Sequence, residues 1–102
     1  MTRPLDICFI CGAGLGSSLA CQMEAEEVLA AAGIRANLGH EAISGIPGVR
    51  ADIIVSAENF KPTIEKYELD PDITFVFLKN IVDKTEIAAK LLPVVQRKGA
   101  QS

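Results

Sequence analysis

The sequence lacks the features by which several large classes of protein are recognised. It has no tryptophan, one tyrosine and four phenylalanines, so few aromatic side chains are present to stack on bases. Its 10 lysines and arginines are scattered and are outnumbered by 13 acidic residues, which gives a net charge of −3. A nucleic-acid backbone requires a continuous basic surface. We therefore expect no nucleic-acid partner.

Long apolar runs are also missing. The longest, at residues 75–78 and at residues 5–11 with Asp6 inside it, are far shorter than the roughly 20 residues that span a membrane. The first residues show no apolar signal-peptide segment with a small-residue cleavage site. We expect a cytoplasmic protein that does not itself span the membrane. Repeats and low-complexity tracts are absent as well.

Three cysteines, an odd number, argue against a disulfide scaffold. Cys8 and Cys11 have C-x-x-C spacing, but residues three apart in a strand lie roughly 10 Å apart, beyond the ~7 Å Cα limit for a disulfide. The same separation argues against a zinc site, whose ligands would be Cys8, Cys11, Cys21 and His40. We therefore expect no metal and no cofactor, and we interpret Cys8 and Cys21 as structural.

The 102 residues, 49% of them hydrophobic, predict a single domain over residues 1–102. Short apolar segments with little alternation are typical of strands buried on both faces, and they lie at residues 5–10, 34–38, 52–55 and 73–78. Helical patterns lie between them. This alternation predicts an α/β fold: a small four-stranded parallel sheet of flavodoxin-like order 2-1-3-4, with helices on both faces. Ligands would bind at the carboxyl ends of the strands.

Three helices are predicted. The first spans residues 17–32 and ends at Gly33, with a core face of Cys21, Ala25, Val28, Leu29 and Ala32. A short second helix spans residues 62–67. The last begins with the capping-box spacing of Asp83 and Glu86, and its core face consists of Ile87, Leu91, Val94 and Val95, with Pro93 opposite. Residues 42–50 are predicted to be loop with at most one turn of helix.

The most informative segment is the junction between the first strand and the first helix. Cys11 is followed by Gly12, Ala13, Gly14, Leu15, Gly16, Ser17 and Ser18. Closely spaced glycines let successive backbone N–H groups converge, and the helix adds the positive end of its dipole, so the loop is predicted to bind an anion. The same field favours the thiolate of Cys11, the nucleophilic form. The segment predicts a cysteine that accepts or attacks a phosphoryl group.

Three loop types compete for this pattern. A nucleotide-triphosphate loop needs a lysine that is missing here, and the dinucleotide fingerprint G-x-G-x-x-G differs in spacing. The cysteine-led phosphate loop of low-molecular-weight phosphatases matches in length. Those enzymes carry an arginine where this chain has Ser17, and they need a general acid, for which residues 56–61 and 78–82 offer only Glu58. A phosphoryl carrier therefore fits better than a hydrolase.

Other side chains on the predicted edge have two interpretations each. The edge comprises residues 11–18, a predicted turn at 39–41, residues 56–61 and residues 79–80. His40 is interpreted as a solvated turn residue, with a second phosphoryl acceptor as the alternative, and the roles of Lys61 and Lys79 stay open. Ser17 is either a helix N-cap or a phosphate ligand. Leu19 and Met23 either form a docking patch or pack against a neighbouring helix.

At these residues the chain resembles the IIB components of the bacterial phosphoenolpyruvate-dependent sugar phosphotransferase system (PTS). The similarity is to the ascorbate and galactitol type, with the ascorbate branch closer. It rests on CGxGxGSSL from Cys11, and is supported by ADIIVS at residues 51–56 and LKNI at residues 78–81. The resemblance implies that Cys11 accepts phosphate from a phosphohistidine on a IIA component and passes it to sugar presented by a membrane IIC component. Residues 12–18 would hold the phosphate.

Two other classes stay open. A low-molecular-weight phosphatase or arsenate reductase would share the fold and the thiol, and a non-catalytic binding module would use Cys11 as a packed or regulatory thiol. The sequence indicates neither the sugar nor the oligomeric state.

Overall fold

The computed structural model describes the backbone of residues 4–11 and 15–101, and the side chains of residues 4–10 and 20–98. In chain order the strands and α-helices are β1 (Leu5–Cys11), α1 (Leu15–Ala31), β2 (Ala36–Ala42), β3 (Ile53–Ala57), α2 (Lys61–Ile64), β4 (Thr74–Leu78) and α3 (Lys84–Gln101). Two short 3-10 helices, Ile43–Gly48 and Glu58–Phe60, follow β2 and β3.

The four strands form one parallel sheet in the order β2-β1-β3-β4. This confirms the predicted fold class and strand order. Cys11 pairs with Ala42 across β1 and β2, and Ala57 pairs with Leu78 across β3 and β4. The strands therefore end at nearly the same level, and their carboxyl ends form one edge, called the carboxyl edge below.

Each face of the sheet carries its own core. The larger cluster joins the sheet to α1 and α3, and its buried members include Phe9, Leu29 and Leu91. The smaller one joins the other face to α2 and the first 3-10 helix through Ile10, Ile46, Ile54 and Ile64. Helices therefore lie on both faces, as predicted. Burial of that much apolar surface is the main stabilisation of the fold.

Burial on both faces, predicted for every strand, holds for β3 and fails for β2. Residues 53–56 of β3 are all buried, because β3 lies between two strands and under both clusters. No residue of β2 is fully buried, because β2 is at the sheet border and contributes nothing to the smaller cluster. The prediction also placed β2 too early, at residues 34–38. Seven consecutive residues of β2 pair with β1, so the strand continues past residue 38 to Ala42. It includes Gly39, although glycine has a low strand propensity.

Helix α1 ends in a Schellman motif. Gly33 has φ +71°, its N–H donates to Ala30 O at 3.1 Å, and the Ile34 N–H donates to Leu29 O at 2.9 Å. This confirms Gly33 as the terminating residue. The predicted core residues Cys21, Ala25, Val28 and Leu29 are buried. Ala32 is exposed instead, because it lies beyond the last helical residue.

Helix α3 begins as predicted at one of its two capping contacts. Asp83 Oδ1 accepts hydrogen bonds from the N–H groups of Thr85 at 2.9 Å and Glu86 at 3.3 Å. Ile87, Leu91 and Val95 are buried, Val94 is half-buried and Pro93 is exposed. The reciprocal contact, from Glu86 back to the N–H of Asp83, was predicted wrongly, because that N–H donates to Asn80 O.

The connections on the other face are more helical than predicted. Residues 43–48 form a six-residue 3-10 helix, longer than the single turn expected, and fully buried Ile46 anchors it to the sheet. Helix α2 covers only Lys61–Ile64, and the predicted extension to residue 67 is a turn in which the Tyr67 N–H donates to Ile64 O at 3.1 Å.

Candidate functional site

Cys11 is the last residue of β1, an inner strand of the sheet, so it lies at the carboxyl edge. Helix α1 begins at Leu15, and its N-terminus therefore follows Cys11 after three residues. Those three, Gly12, Ala13 and Gly14, lie outside the described residues, as do the side chains of residues 11 and 15–19. The described backbone therefore shows the end of β1 and the start of α1, three residues apart along the chain.

The first turn of α1 consists of Leu15, Gly16, Ser17 and Ser18. The first four N–H groups of an α-helix have no intrahelical acceptor and carry the positive end of the helix dipole. The four helical residues predicted to bind phosphate are therefore the four with such N–H groups. Ser17 is the third residue of the helix, so its interpretation as N-cap is wrong. Leu15 is a strong helix former, and Gly16 lies in the first turn, where its N–H loses no intrahelical bond.

The two other thiols lie away from this edge. Cys8 is half-buried against the smaller cluster, and burial, followed by the negative charge of Glu41, raises its pKa to about 11. Cys21 is buried in the larger cluster, and burial, followed by the charge of Glu24, raises its pKa to about 12. Both are neutral thiols at physiological pH. This agrees with their interpretation as structural residues.

The chain after β3 supplies one wall of the carboxyl edge. Ser56 is buried and its hydroxyl donates a hydrogen bond to Ala57 O at 3.1 Å. Glu58, the only carboxylate predicted here, is exposed at the start of the second 3-10 helix. The Lys61 ammonium lies 5.6 Å from the centroid of the Phe77 ring, within range of a cation–π contact. That contact holds Lys61 against β4.

A second wall of the carboxyl edge follows β4. It is bound by the carboxylate of Glu86, which the sequence predicted only as a helix-capping residue. We call residues 79–83 the rim loop. Glu86 Oε2 accepts from the Lys79 N–H at 2.6 Å, and Oε1 accepts from the Asn80 N–H at 2.9 Å. The Lys90 ammonium donates to Glu86 Oε2 at 2.7 Å. The contact with Lys90, followed by the two backbone hydrogen bonds, lowers the pKa of Glu86 to about 2.

One signal in the sequence could have revealed this side chain. Glu86 and Lys90 are four residues apart on a predicted helix, the spacing of a favourable ion pair. The capping-box pattern instead predicted that the Glu86 side chain accepts a hydrogen bond from the Asp83 N–H. The contacts with Lys79 and Asn80 depend on how the end of β4 packs against α3, which no local pattern encodes.

Two predictions concerned β2 and the outer side of α1. His40 lies within β2 rather than in a turn; it is exposed, and its Nδ1 is 3.1 Å from Gln22 Oε1. The predicted turn at residues 39–41 is therefore wrong, because pairing with β1 continues to Ala42. Met23 is 57% exposed, which excludes close packing against a neighbouring helix. The side chain of Leu19 lies outside the described residues.

Among the residues that the structure describes, no group of three or more histidine, cysteine, aspartate or glutamate side chains is arranged to hold a metal ion. Over the same residues, no helix is both long enough and apolar enough to cross a membrane.

The fold and this edge define a class: a flavodoxin-like parallel α/β domain with a cysteine at the end of an inner strand, followed by a helix N-terminus. Residues 6–92 match the family model described as the lactose/cellobiose-specific IIB subunit of the PTS. The match covers most of the chain. The protein therefore belongs to the IIB subunits of the sugar phosphotransferase system, a family of phosphoryl carriers in sugar transport that work with IIA and IIC components.

A solved structure shares the fold. The lactose-specific IIB component domain from Streptococcus pneumoniae superposes with a TM-score of 0.57 at 16% sequence identity, over 92% of this chain and 97% of that one. No curated protein sequence matches significantly. The family model is described for lactose and cellobiose, so it does not support the ascorbate or galactitol type that the cysteine loop resembles.

Proposed function

We propose that this chain carries a phosphoryl group on Cys11, taking it from a phosphohistidine of a IIA component and delivering it to a sugar held by a membrane IIC component. The observation that carries the proposal is the position of Cys11. It ends an inner strand at the carboxyl edge, and a helix N-terminus follows three residues later. Ligands of open parallel sheets bind at this edge. The chain would act on the cytoplasmic side of the membrane, where IIB components meet their partners.

The chemistry is two in-line phosphoryl transfers. In the first, the Cys11 thiolate attacks the phosphorus of the phosphohistidine, the P–N bond breaks, and its electron pair returns to the imidazole nitrogen. In the second, a sugar hydroxyl oxygen attacks the phosphorus, the P–S bond breaks, and the thiolate leaves as the hydroxyl proton is released. Such transfers depend mainly on positioning and on stabilising charge at the equatorial oxygens.

Backbone donors supply that charge stabilisation in our proposal. The N–H groups of residues 12–18 would hold the phosphoryl oxygens, and the Ser17 and Ser18 hydroxyls would add hydrogen bonds. Positive potential at the helix N-terminus also favours the Cys11 thiolate. The same groups would stabilise both the nucleophile of the first step and the leaving group of the second.

The two carboxylates that follow β3 and contact the loop after β4, Glu58 and Glu86 respectively, favour a carrier over a phosphatase. A phosphatase needs a protonated acid for the leaving group. Glu86 has a pKa of about 2 and is committed to Lys90, Lys79 and Asn80, so it is ionised at neutral pH. Glu58 is exposed to solvent. The environment of Glu86 therefore favours its ionised form and does not make it a proton donor at neutral pH.

The sugar is proposed from the cysteine loop. CGxGxGSSL resembles the ascorbate and galactitol type, so we propose an ascorbate-like or galactitol-like sugar. In the test, the phosphorylated chain is mixed with membranes that contain the IIC partner. Ascorbate, galactitol, lactose and cellobiose are then added in separate reactions, and phosphoryl transfer to each sugar is measured. Transfer to ascorbate or galactitol is expected. Transfer to lactose or cellobiose alone would refute the sugar class and leave the carrier role intact.

The carrier role is tested by relaying phosphate from phosphoenolpyruvate through the general PTS proteins and a IIA component. Intact-mass and peptide analysis should find one phosphoryl group on Cys11. The Cys11→Ser variant should fold normally and relay no phosphate to sugar. Cys8→Ala and Cys21→Ala are the matched controls, which should lose stability before activity because their thiols are packed in the core. Relay by Cys11→Ser would refute the mechanism.

A further inference from the structure

Most backbone N–H groups of the rim loop donate hydrogen bonds to acceptors of the protein itself. Besides the two N–H groups bound by Glu86, the Val82 N–H donates to Asn80 Oδ1 at 3.1 Å, and the Asp83 N–H donates to Asn80 O at 3.2 Å. Loops usually leave such groups to solvent. Here acceptors from the protein fix the backbone between β4 and α3.

Glu86 is the centre of this arrangement. Its side chain is only 15% exposed, and Lys90, which donates to its Oε2, also donates to Phe77 O at 3.0 Å. A single carboxylate thereby connects the rim loop to the end of β4 and to the first two turns of α3. Charge-assisted hydrogen bonds of this kind are the strong ones in proteins.

The outer side of the same loop is free for contact. The side chains of Lys79, Asn80 and Val82 are exposed, and Val82, at 48%, is one of two large hydrophobic side chains with high exposure among the described residues. The other is Met23. Lys84, two residues after Val82, lies 3.2 Å from Glu27 and 3.7 Å from Glu24, the neighbour of Met23. Val82 and Met23 are therefore close in sequence to residues that join α3 and α1.

This surface lies within reach of any protein that delivers phosphate to Cys11. Ile10 pairs with Ser56 and Ser56 with Phe77, so Cys11 and Leu78 lie at the same level, two strands apart. With a strand spacing of about 4.8 Å, their backbones are separated by roughly 10 Å. A standard interface buries about 800 Å² on each partner, a patch of roughly 16 Å radius. A patch centred on Cys11 therefore covers the rim loop.

We propose that Glu86 is a positioning residue for phosphoryl transfer: it holds the rim loop as a preformed part of the surface on which phosphorylated IIA docks. Lys79 supplies positive charge for a phosphorylated partner, and Val82 supplies apolar contact. Pre-ordering the loop removes an entropy cost from docking. This inference rests on the proposed carrier function.

The test compares initial rates of phosphorylation of wild type and variants over a range of phospho-IIA concentrations. Glu86→Gln replaces one acceptor oxygen with a donor, and should raise the KM for phospho-IIA by about fivefold, or about 1 kcal/mol of docking free energy, with kcat little changed. Lys79→Gln and Val82→Ser leave the network intact and should raise KM in the same direction. Glu65→Gln, at an exposed glutamate beyond α2, is the matched control and should change nothing.

Amide hydrogen exchange provides a readout that does not depend on phosphate. The N–H groups of Lys79 and Asn80 should exchange faster in Glu86→Gln than in wild type and should be unaffected by Glu65→Gln. Unchanged exchange would overturn the role of Glu86 in holding the loop.

Unchanged KM in all three rim variants would overturn the docking surface, even with faster exchange, and so would a fall in kcat at constant KM. Should Glu86→Gln not fold, Lys79→Gln and Val82→Ser decide the question alone. Failure of the carrier function itself is recognised separately, because wild type would then take no phosphate from phospho-IIA.

Discussion

At the scale of single residues, the three cysteines have the same side chain and very different surroundings. Two are packed against apolar cores that penalise a charged sulfur, and their pKa values rise to about 11 for Cys8 and about 12 for Cys21. Cys11 ends its strand three residues before a helix N-terminus, whose positive end we expect to favour the charged form. The proposed selectivity for Cys11 as the nucleophile would follow from where the fold places each cysteine.

This difference predicts selective alkylation. Between pH 6 and pH 8, iodoacetamide should modify Cys11 much faster than Cys8 or Cys21, because only the thiolate reacts. The apparent pKa of Cys11 should lie below the ordinary value of about 8.5. Peptide mass spectrometry of timed samples measures each site, with urea-denatured protein as the control. A Cys11 pKa at or above its denatured value would remove the electrostatic argument.

At the scale of the elements, the two helices on the larger core are defined by different kinds of signal. Helix α1 ends because Gly33 adopts positive φ and its amide and the next satisfy the last carbonyls. Helix α3 begins because Asp83 accepts from first-turn amides, while Glu86 from the same turn fastens the rim loop. The first signal is local to the helix, and the second reaches across to β4.

Gly33→Ala should destabilise the protein by about 1 to 2 kcal/mol, the cost of a left-handed conformation for a residue with a Cβ. Outside Gly33 and its two chain neighbours, no atom of the described residues lies within 4 Å of the position that the new Cβ would take, so the cost is conformational. Urea unfolding measures it. Gly48→Ala is the control, since that site is equally open and its φ is not positive. Equal effects of the two substitutions would contradict this explanation.

Glu86 should make the free energy of unfolding depend on pH. Its folded pKa of about 2 is below the ordinary value of 4.5, so its stabilising contribution is complete above pH 4.5 and is lost as pH falls toward 2. Urea midpoints between pH 6 and pH 2.5 should fall less steeply in Glu86→Gln than in wild type. Parallel curves for the two proteins would show that the carboxylate contributes nothing through its ionisation.

At the scale of the whole molecule, the carboxyl edge holds the end of an inner strand at Cys11 and a helix N-terminus three residues later, and the sequence there lacks the arginine of a phosphatase loop. Ser17 offers a neutral hydroxyl at the position of that arginine, and Glu86 is held ionised. Such an edge suits a protein that must keep its phosphoryl group until a partner arrives.

The phosphorylated protein should therefore be long-lived, and the free protein should barely hydrolyse p-nitrophenyl phosphate. Water attack on the phosphocysteine lacks both charge stabilisation and an acid. Loss of the phosphoryl group is followed by intact mass, and release of nitrophenol by absorbance, with Cys11→Ser as the blank. Turnover at about 1 per second or faster, as is typical of enzymes, would favour the phosphatase alternative.

The sequence by itself determined the layout of this protein, because the deciding forces act locally or on pattern. Short apolar segments between helical ones predicted the parallel sheet, and Gly33 predicted the end of α1, and both predictions are confirmed. The cysteine-led glycine loop predicts a phosphate site, which stays a prediction. The same reasoning failed at residues 39–41, where weak strand formers pair only because β1 lies beside them. The stabilisation that a strand gains from pairing with its neighbour is not encoded in its own short stretch of sequence.

Only the tertiary structure decided which side chains meet across the helices and strands. The approach of α3 to the end of β4 gave Glu86 its partners Lys79 and Asn80, and the packing of α2 brought Lys61 over Phe77. The uncovered outer side of α1 left Met23 exposed. These contacts join residues from different elements, so their geometry and acidity depend on how the helices pack on the sheet. A propensity or a motif describes one segment at a time and carries no such information.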